Sequence, residues 1–104
     1  MNHVEVDVVK ISRAVEELKA EMLRAQWLLQ QGTIHASEEH ILDSLSGLVG
    51  LSYLLAKRLG FNYSRLDRVL YKHMEEWQKT DKLQLESEWG DLSNLLGYLV
   101  PEEE

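Results

Sequence analysis

Four carboxylates in the first half of the chain have the spacing of ion ligands. Glu17 and Glu21, in the run EELKAE, are four residues apart, as are Glu39 and Asp43 in EEHILD. On a helix this spacing sets both members of a pair on one side, with Cβ atoms about 5 to 6 Å apart. Two such pairs on neighbouring helices would present four oxygens to a hard divalent cation. Mg²⁺ or Mn²⁺ suits such a set, because these ions prefer carboxylates, keep several waters and bridge to phosphates.

Each pair also has a plainer explanation. Glu17 and Glu21 read as a solvated helix face with Arg24 beside them. Ser37 is a natural N-cap, and Glu38 and Glu39 then fall in a first turn, where the positive end of the helix dipole favours acids. Asp43 is the exception. It lies beyond the first turn of a helix that is otherwise almost wholly apolar, so its carboxylate must reach a partner or water. His40, three residues before it, has a spacing that also suits a transition metal.

The elements that would position these acids are helices. A single proline, six glycines and aliphatic residues recurring at helical spacing make the chain all-α. Val4, Val8, Ile11, Val15, Leu18, Met22, Ala25 and Leu29 form one stripe, which predicts a helix from about Val4 to Gln31 ending at Gly32. Val9, Leu23 and Trp27 fall on its opposite side, so this helix is expected to touch something on two faces. A second helix predicted from Ser37 to about Leu59 stops at Gly60. Its apolar residues go most of the way round, among Ser44, Gly47, Gly50 and Ser52, as in a buried central helix. Leu66, Leu70, His73 and Trp77 make the inward stripe of a third helix. Leu85, Trp89, Leu92, Leu96 and Leu99 make that of a fourth, from about Asp81 to Leu99. The expected architecture is a four-helix bundle in one domain over residues 1–100, dimerising through the first helix, with a solvated acidic tail at 101–104.

The totals narrow the function. At 104 residues the chain suits one core. The absence of cysteine removes disulfides, thiolate metal sites and a cysteine nucleophile, and fits a reducing compartment such as the cytoplasm. No signal-peptide pattern or apolar run of about 18 to 20 residues is present, so a soluble protein is expected. A net charge of −7 argues against duplex nucleic acid or an anionic membrane as the partner. Between Tyr53 and Thr80, however, Lys57, Arg58, Arg65, Arg68, Lys72 and Lys79 outnumber Asp67, Glu75 and Glu76. An acidic protein with one basic segment could hold an anion and a cation together.

From Glu16 to Trp77 the chain resembles the MazG-like, all-α nucleotide pyrophosphohydrolases. The resemblance lies in glutamates of a first helix, followed by EEHILDSLSGLVGLSYLLAKRLGFNYSRL, in which acids open an apolar helix ending in RLG. It implies a helical bundle assembled as a dimer or higher oligomer. It also implies cleavage of nucleoside triphosphates to monophosphate and pyrophosphate, with Mg²⁺ held by acids of the first two helices. By position, Glu17 and Glu21 stand for the first-helix acids and Glu39 and Asp43 for the second. The metal would polarise the phosphate chain while one of the catalytic glutamates, Glu17 or Glu21, orients water. Arg65 and Lys72 would take the phosphate, with Lys57 and Arg68 as further cations. The chain departs from the family pattern in three places. The family's downstream lysine, asparagine and arginine motif has no clean counterpart in YKHMEEWQKTDK, where Lys72, with Arg65 before it, could serve. The family's first motif has its third glutamate three after the second, whereas Glu21 follows Glu17 by four. Its glutamate three before the aspartate is His40 here. A second class of function keeps the bundle without the chemistry, as a non-catalytic interaction module.

Three lesser signals have plain readings. Glu88 and Asp91, in ESEWGD, are three apart and read as a polar helix face. Arg68 and His73, in RVLYKH, match a spacing of small helical ribonuclease-like domains, although a histidine on an apolar stripe is more often a core residue. Trp27, Trp77 and Trp89 could stack on a base, but at helical core spacing they read as packing.

Overall fold

The computed structural model describes residues 3–35 and 37–100, with side chains from residue 7 onward. The predicted side-chain position of Val4 and the expected tail at 101–104 lie outside the described residues. All described regular structure is helical: α1 (His3–Ile34), α2 (Glu38–Arg58), α3 (Tyr63–Thr80), a 3₁₀ turn (Lys82–Gln84), α4 (Leu85–Trp89) and α5 (Asp91–Tyr98). The chain packs as two compact units, Met1–Asn62 and Tyr63–Glu104.

The first unit is a hairpin of α1 and α2. α1 does not stop at Gly32 as the glycine suggested; it continues to Ile34. Gly32 is instead a point of close approach, where a Cβ would lie 3.3 Å from Ile41 Cγ1 and 3.5 Å from His40 Cβ. Ala25 is buried, and Val15, Leu18, Met22 and Leu29 on its stripe are half-buried. Facing them, α2 buries Ser44 and half-buries Ile41, Leu48, Leu51 and Leu55. Small side chains at the contact let the two backbones come close.

Both ends of α2 form as expected. The Ser37 hydroxyl oxygen accepts from the His40 N–H at 3.4 Å. Leu59 closes the helix, and Gly60 at φ 97° turns the chain away. The Phe61 N–H reaches the Ala56 carbonyl at 2.9 Å and the Gly60 N–H that of Lys57 at 3.1 Å. These two bonds are the Schellman pattern, which needs a left-handed residue that glycine adopts without a Cβ clash.

The second unit rests on Met74, Leu92 and Leu96, ringed by Leu70, Tyr71, Trp77, Leu85 and Leu99. His73 is exposed, with its ring 6.1 Å from that of Trp77, and the Lys82 ammonium lies 5.1 Å from the Trp77 ring centroid. The expected fourth helix is broken. Asp81, Leu83 and Gln84 are left-handed, and Gly90 at φ 70° ends α4 and begins α5. Trp89, placed on the inward stripe from the sequence, is therefore turned out and exposed.

Two acids hold this interrupted segment. Neither Gln84 nor Gly90, the N-cap residues of α4 and α5, caps with a side chain. Asp81 Oδ1 instead accepts from the Ser87 N–H of α4 at 3.0 Å, and Glu86 Oε1 from the Ser93 N–H of α5 at 2.8 Å. The Ser93 hydroxyl also donates to Glu86 Oε2 and accepts from Gln78 Nε2 of α3 at 2.9 Å. Each acid satisfies an otherwise orphaned N–H in the first turn of the following helix.

Candidate functional site

α1 and α2 carry the four candidate ligands, and all four are solvent-exposed. Asp43 thus meets its need for solvation by facing water. Its main-chain carbonyl accepts from the Ser46 hydroxyl at 3.0 Å. Glu38 and Glu39 occupy the first turn of α2, as the dipole argument requires. On α1 it is Glu16, next to the candidate pair, that forms an ion pair, with Lys19 at 2.9 Å.

The geometry of the hairpin determines which acids can meet. α1 ends at Ile34 and α2 begins at Glu38, so the two helices run antiparallel. Contact between Gly32 and Ile41 sets their register, and residues whose numbers add to about 73 stand level. Arg58, lining the same cleft as Ala14, agrees with this register. Glu17 and Glu21 are therefore level with the later half of α2, whereas Glu39 and Asp43 are level with the last turns of α1. At 1.5 Å per residue, Glu21 and Asp43 are offset by about 13 Å along the hairpin, and Glu17 and Glu39 by about 25 Å. Helical side chains lean toward their own N-terminus, which in antiparallel helices carries Glu21 and Asp43 further apart.

One Mg²⁺ binds its oxygens at about 2.0 to 2.1 Å and cannot span such an offset. The four carboxylates of one hairpin do not fit a single shared ion. In agreement, no three Asp, Glu or His side chains gather as a metal-holding group among the described residues. The members of each pair remain neighbours on their own helix.

Arg65 and Lys72 are exposed on α3, and Arg65 is engaged in an interaction. One feature of the first unit was not legible from the spacing of the acids. A cleft of about 340 Å³ opens where the start of α1 meets the end of α2, lined by Asp7, Lys10, Ile11, Ala14 and Arg58. A signal for it was present: Lys10 precedes Glu17 by seven residues on one stripe, and Arg58 is the last residue of an antiparallel neighbour.

The MazG-like family matches residues 8–92, from the second turn of α1 into α5. The chain belongs to the MazG-like family. No curated protein and no solved structure matches it. The match covers both acid pairs, Lys10, Arg58, Arg65 and Lys72, so every candidate residue lies within the MazG-like region. None of the helices among the described residues is long and apolar enough to cross a membrane.

Proposed function

We propose that this MazG-like chain works as a homodimer directed at nucleoside triphosphates, with cleavage to monophosphate and pyrophosphate as its reaction. The observation that carries this reading is the MazG-like match over 8–92, which spans every acid and cation assigned a role. In this reading Mg²⁺ or Mn²⁺ is taken by Glu17 and Glu21 or by Glu39 and Asp43, and Arg65 and Lys72 face the phosphates. All four on one ion would require acids from more than one copy of the chain, because the hairpin register separates the pairs.

Dimerisation is supported by the apolar surface that the chain leaves open. Leu42, Leu45 and Val49 share one exposed stripe of α2, and Leu23, Trp27 and Ile34 one of α1. The sequence implied burial of α2 on all sides, and within one chain that burial is incomplete. Between Ile41 and Ala56 the only charged residue is Asp43, so this helix can face its own copy with few like charges opposed.

The offset of the acid pairs, together with His40 at the family's glutamate position, favours a second reading. There the MazG-like chain retains the helices as a non-catalytic association module. Pyrophosphate release from a panel of nucleoside triphosphates, with and without Mg²⁺ or Mn²⁺, separates the two. Metal-dependent turnover that is lost in Asp43→Ala supports hydrolysis. Absence of turnover, with no effect of metal on thermal stability, supports the module.

A further inference from the structure

We propose that the open end of the α1–α2 hairpin binds a phosphate chain, held by Lys10 and Arg58. These two cations come from opposite ends of the hairpin sequence and line one cleft of about 340 Å³. Both are exposed, and neither is tied up in an ion pair among the described residues. Asp7, the acid lining the cleft, is engaged in an interaction of its own.

The chemistry of the lining selects the ligand. In a chain of net charge −7, an anion finds a favourable local field only where cations converge. The Arg58 guanidinium offers a planar fork of donors to two phosphate oxygens, and the Lys10 ammonium acts as a compact point charge. Ile11 and Ala14 give the cleft apolar contacts. By the hairpin register Arg58 stands level with about Val15, and the cleft is lined on α1 from Asp7 to Ala14, so a bound phosphate chain would lie on the N-terminal side of Glu17. This site extends the nucleotide reading to the ligand's phosphates, but it rests on the cleft and requires no hydrolysis.

The test is a ¹H–¹⁵N titration of the full chain with inorganic triphosphate, in metal-free buffer, repeated with inorganic phosphate and a nucleoside triphosphate. Amide shifts are expected at residues 7–14 and 57–60. Lys10→Gln and Arg58→Gln should each weaken binding about tenfold, as for loss of one charge-assisted contact. Lys79→Gln, at an exposed cation with no part in either site, should leave it unchanged, and circular dichroism confirms that every variant is folded. Triphosphate binding at these amides without nucleotide turnover upholds the site and removes the hydrolytic reading. Tighter binding of the nucleoside triphosphate than of triphosphate identifies a nucleotide as the source of the phosphates; equal binding identifies polyphosphate. Shifts located elsewhere, no binding, or affinity indifferent to Lys10 and Arg58 would overturn the proposal.

Discussion

Gly32 of α1 lies hard against Ile41 of α2: a Cβ on the glycine would stand 3.3 Å from Ile41 Cγ1 and 3.4 Å from the Ile41 main-chain nitrogen. This contact sets the level of every residue along the hairpin, including the acids. Gly32→Leu should therefore destabilise the chain by about 1 to 3 kcal/mol through overpacking. Gly32→Ala should stay within about 1 kcal/mol of the parent, since the helical gain of alanine offsets the tight contact. Urea unfolding followed by far-ultraviolet circular dichroism measures both. A stable Gly32→Leu variant would show that the helices do not approach as closely as described.

The acid caps predict a specific response to pH. Hydrogen bonds from the hydroxyl and N–H of Ser87 hold the Asp81 carboxyl below the usual carboxylate range. Those from the Ser93 hydroxyl and N–H, with a smaller contribution from Gln78, do the same for Glu86. A lowered folded-state pKa means that the stabilisation is fully present above the unfolded pKa and is lost as pH falls through the folded one. The second unit should loosen below about pH 4, where free carboxylates begin to protonate. Tryptophan fluorescence during acid titration should report it through Trp77 and Trp89. Glu86→Gln should lower the melting temperature at pH 7 and flatten the acid transition; an unchanged transition would mean that the cap contributes nothing.

The open stripe of α2 predicts self-association. Val49→Asp puts a charge on a surface that is 59% exposed in the single chain, so the fold should survive while the dimer is lost. Sedimentation equilibrium should give twice the 12.1 kDa chain mass for the parent and the single mass for the variant. A parent chain already monomeric at tens of micromolar would leave the stripe without its proposed cover.

How much of this could be read from the sequence differs by element. The stripe of α1 from Val15 to Leu29, and Leu66, Leu70 and Trp77 on α3, were legible because burial of one face imposes 3.6-residue periodicity. Val8 and Ile11 of the first stripe and His73 of the other, however, are exposed. The Ser37 cap and the Gly60 stop were legible because each residue type answers a particular backbone need. Gly32 was misread because a glycine near a helix end can mark a stop or a close approach, and only the packed partner distinguishes them. The break at Gly90 was hidden because Leu85, Trp89, Leu92, Leu96 and Leu99 keep helical spacing across it, while left-handed backbone falls on Leu83 and Gln84, which carry no turn signal, and on Asp81, a type that equally suits a helix start. Met74 was absent from the expected stripe yet is buried at the centre of the second unit's core. The acids themselves were correctly placed on two helices. Their mutual level was not legible from pair spacing, since it depends on the length of the turn and on the Gly32 contact.

That level is the centre of the account and can be measured directly. The chain has no cysteine, so a Glu17→Cys, Glu39→Cys double variant takes two spin labels at defined positions. Diluted with unlabelled chain, so that only distances within one copy contribute, pulsed electron–electron dipolar spectroscopy should give a separation of about 25 to 30 Å from the helical rise and the interaxial spacing. Adding Mg²⁺ should not shorten it. A dominant distance under about 15 Å, with or without the ion, would place the two acid pairs at one level and contradict the staggered hairpin on which the account rests.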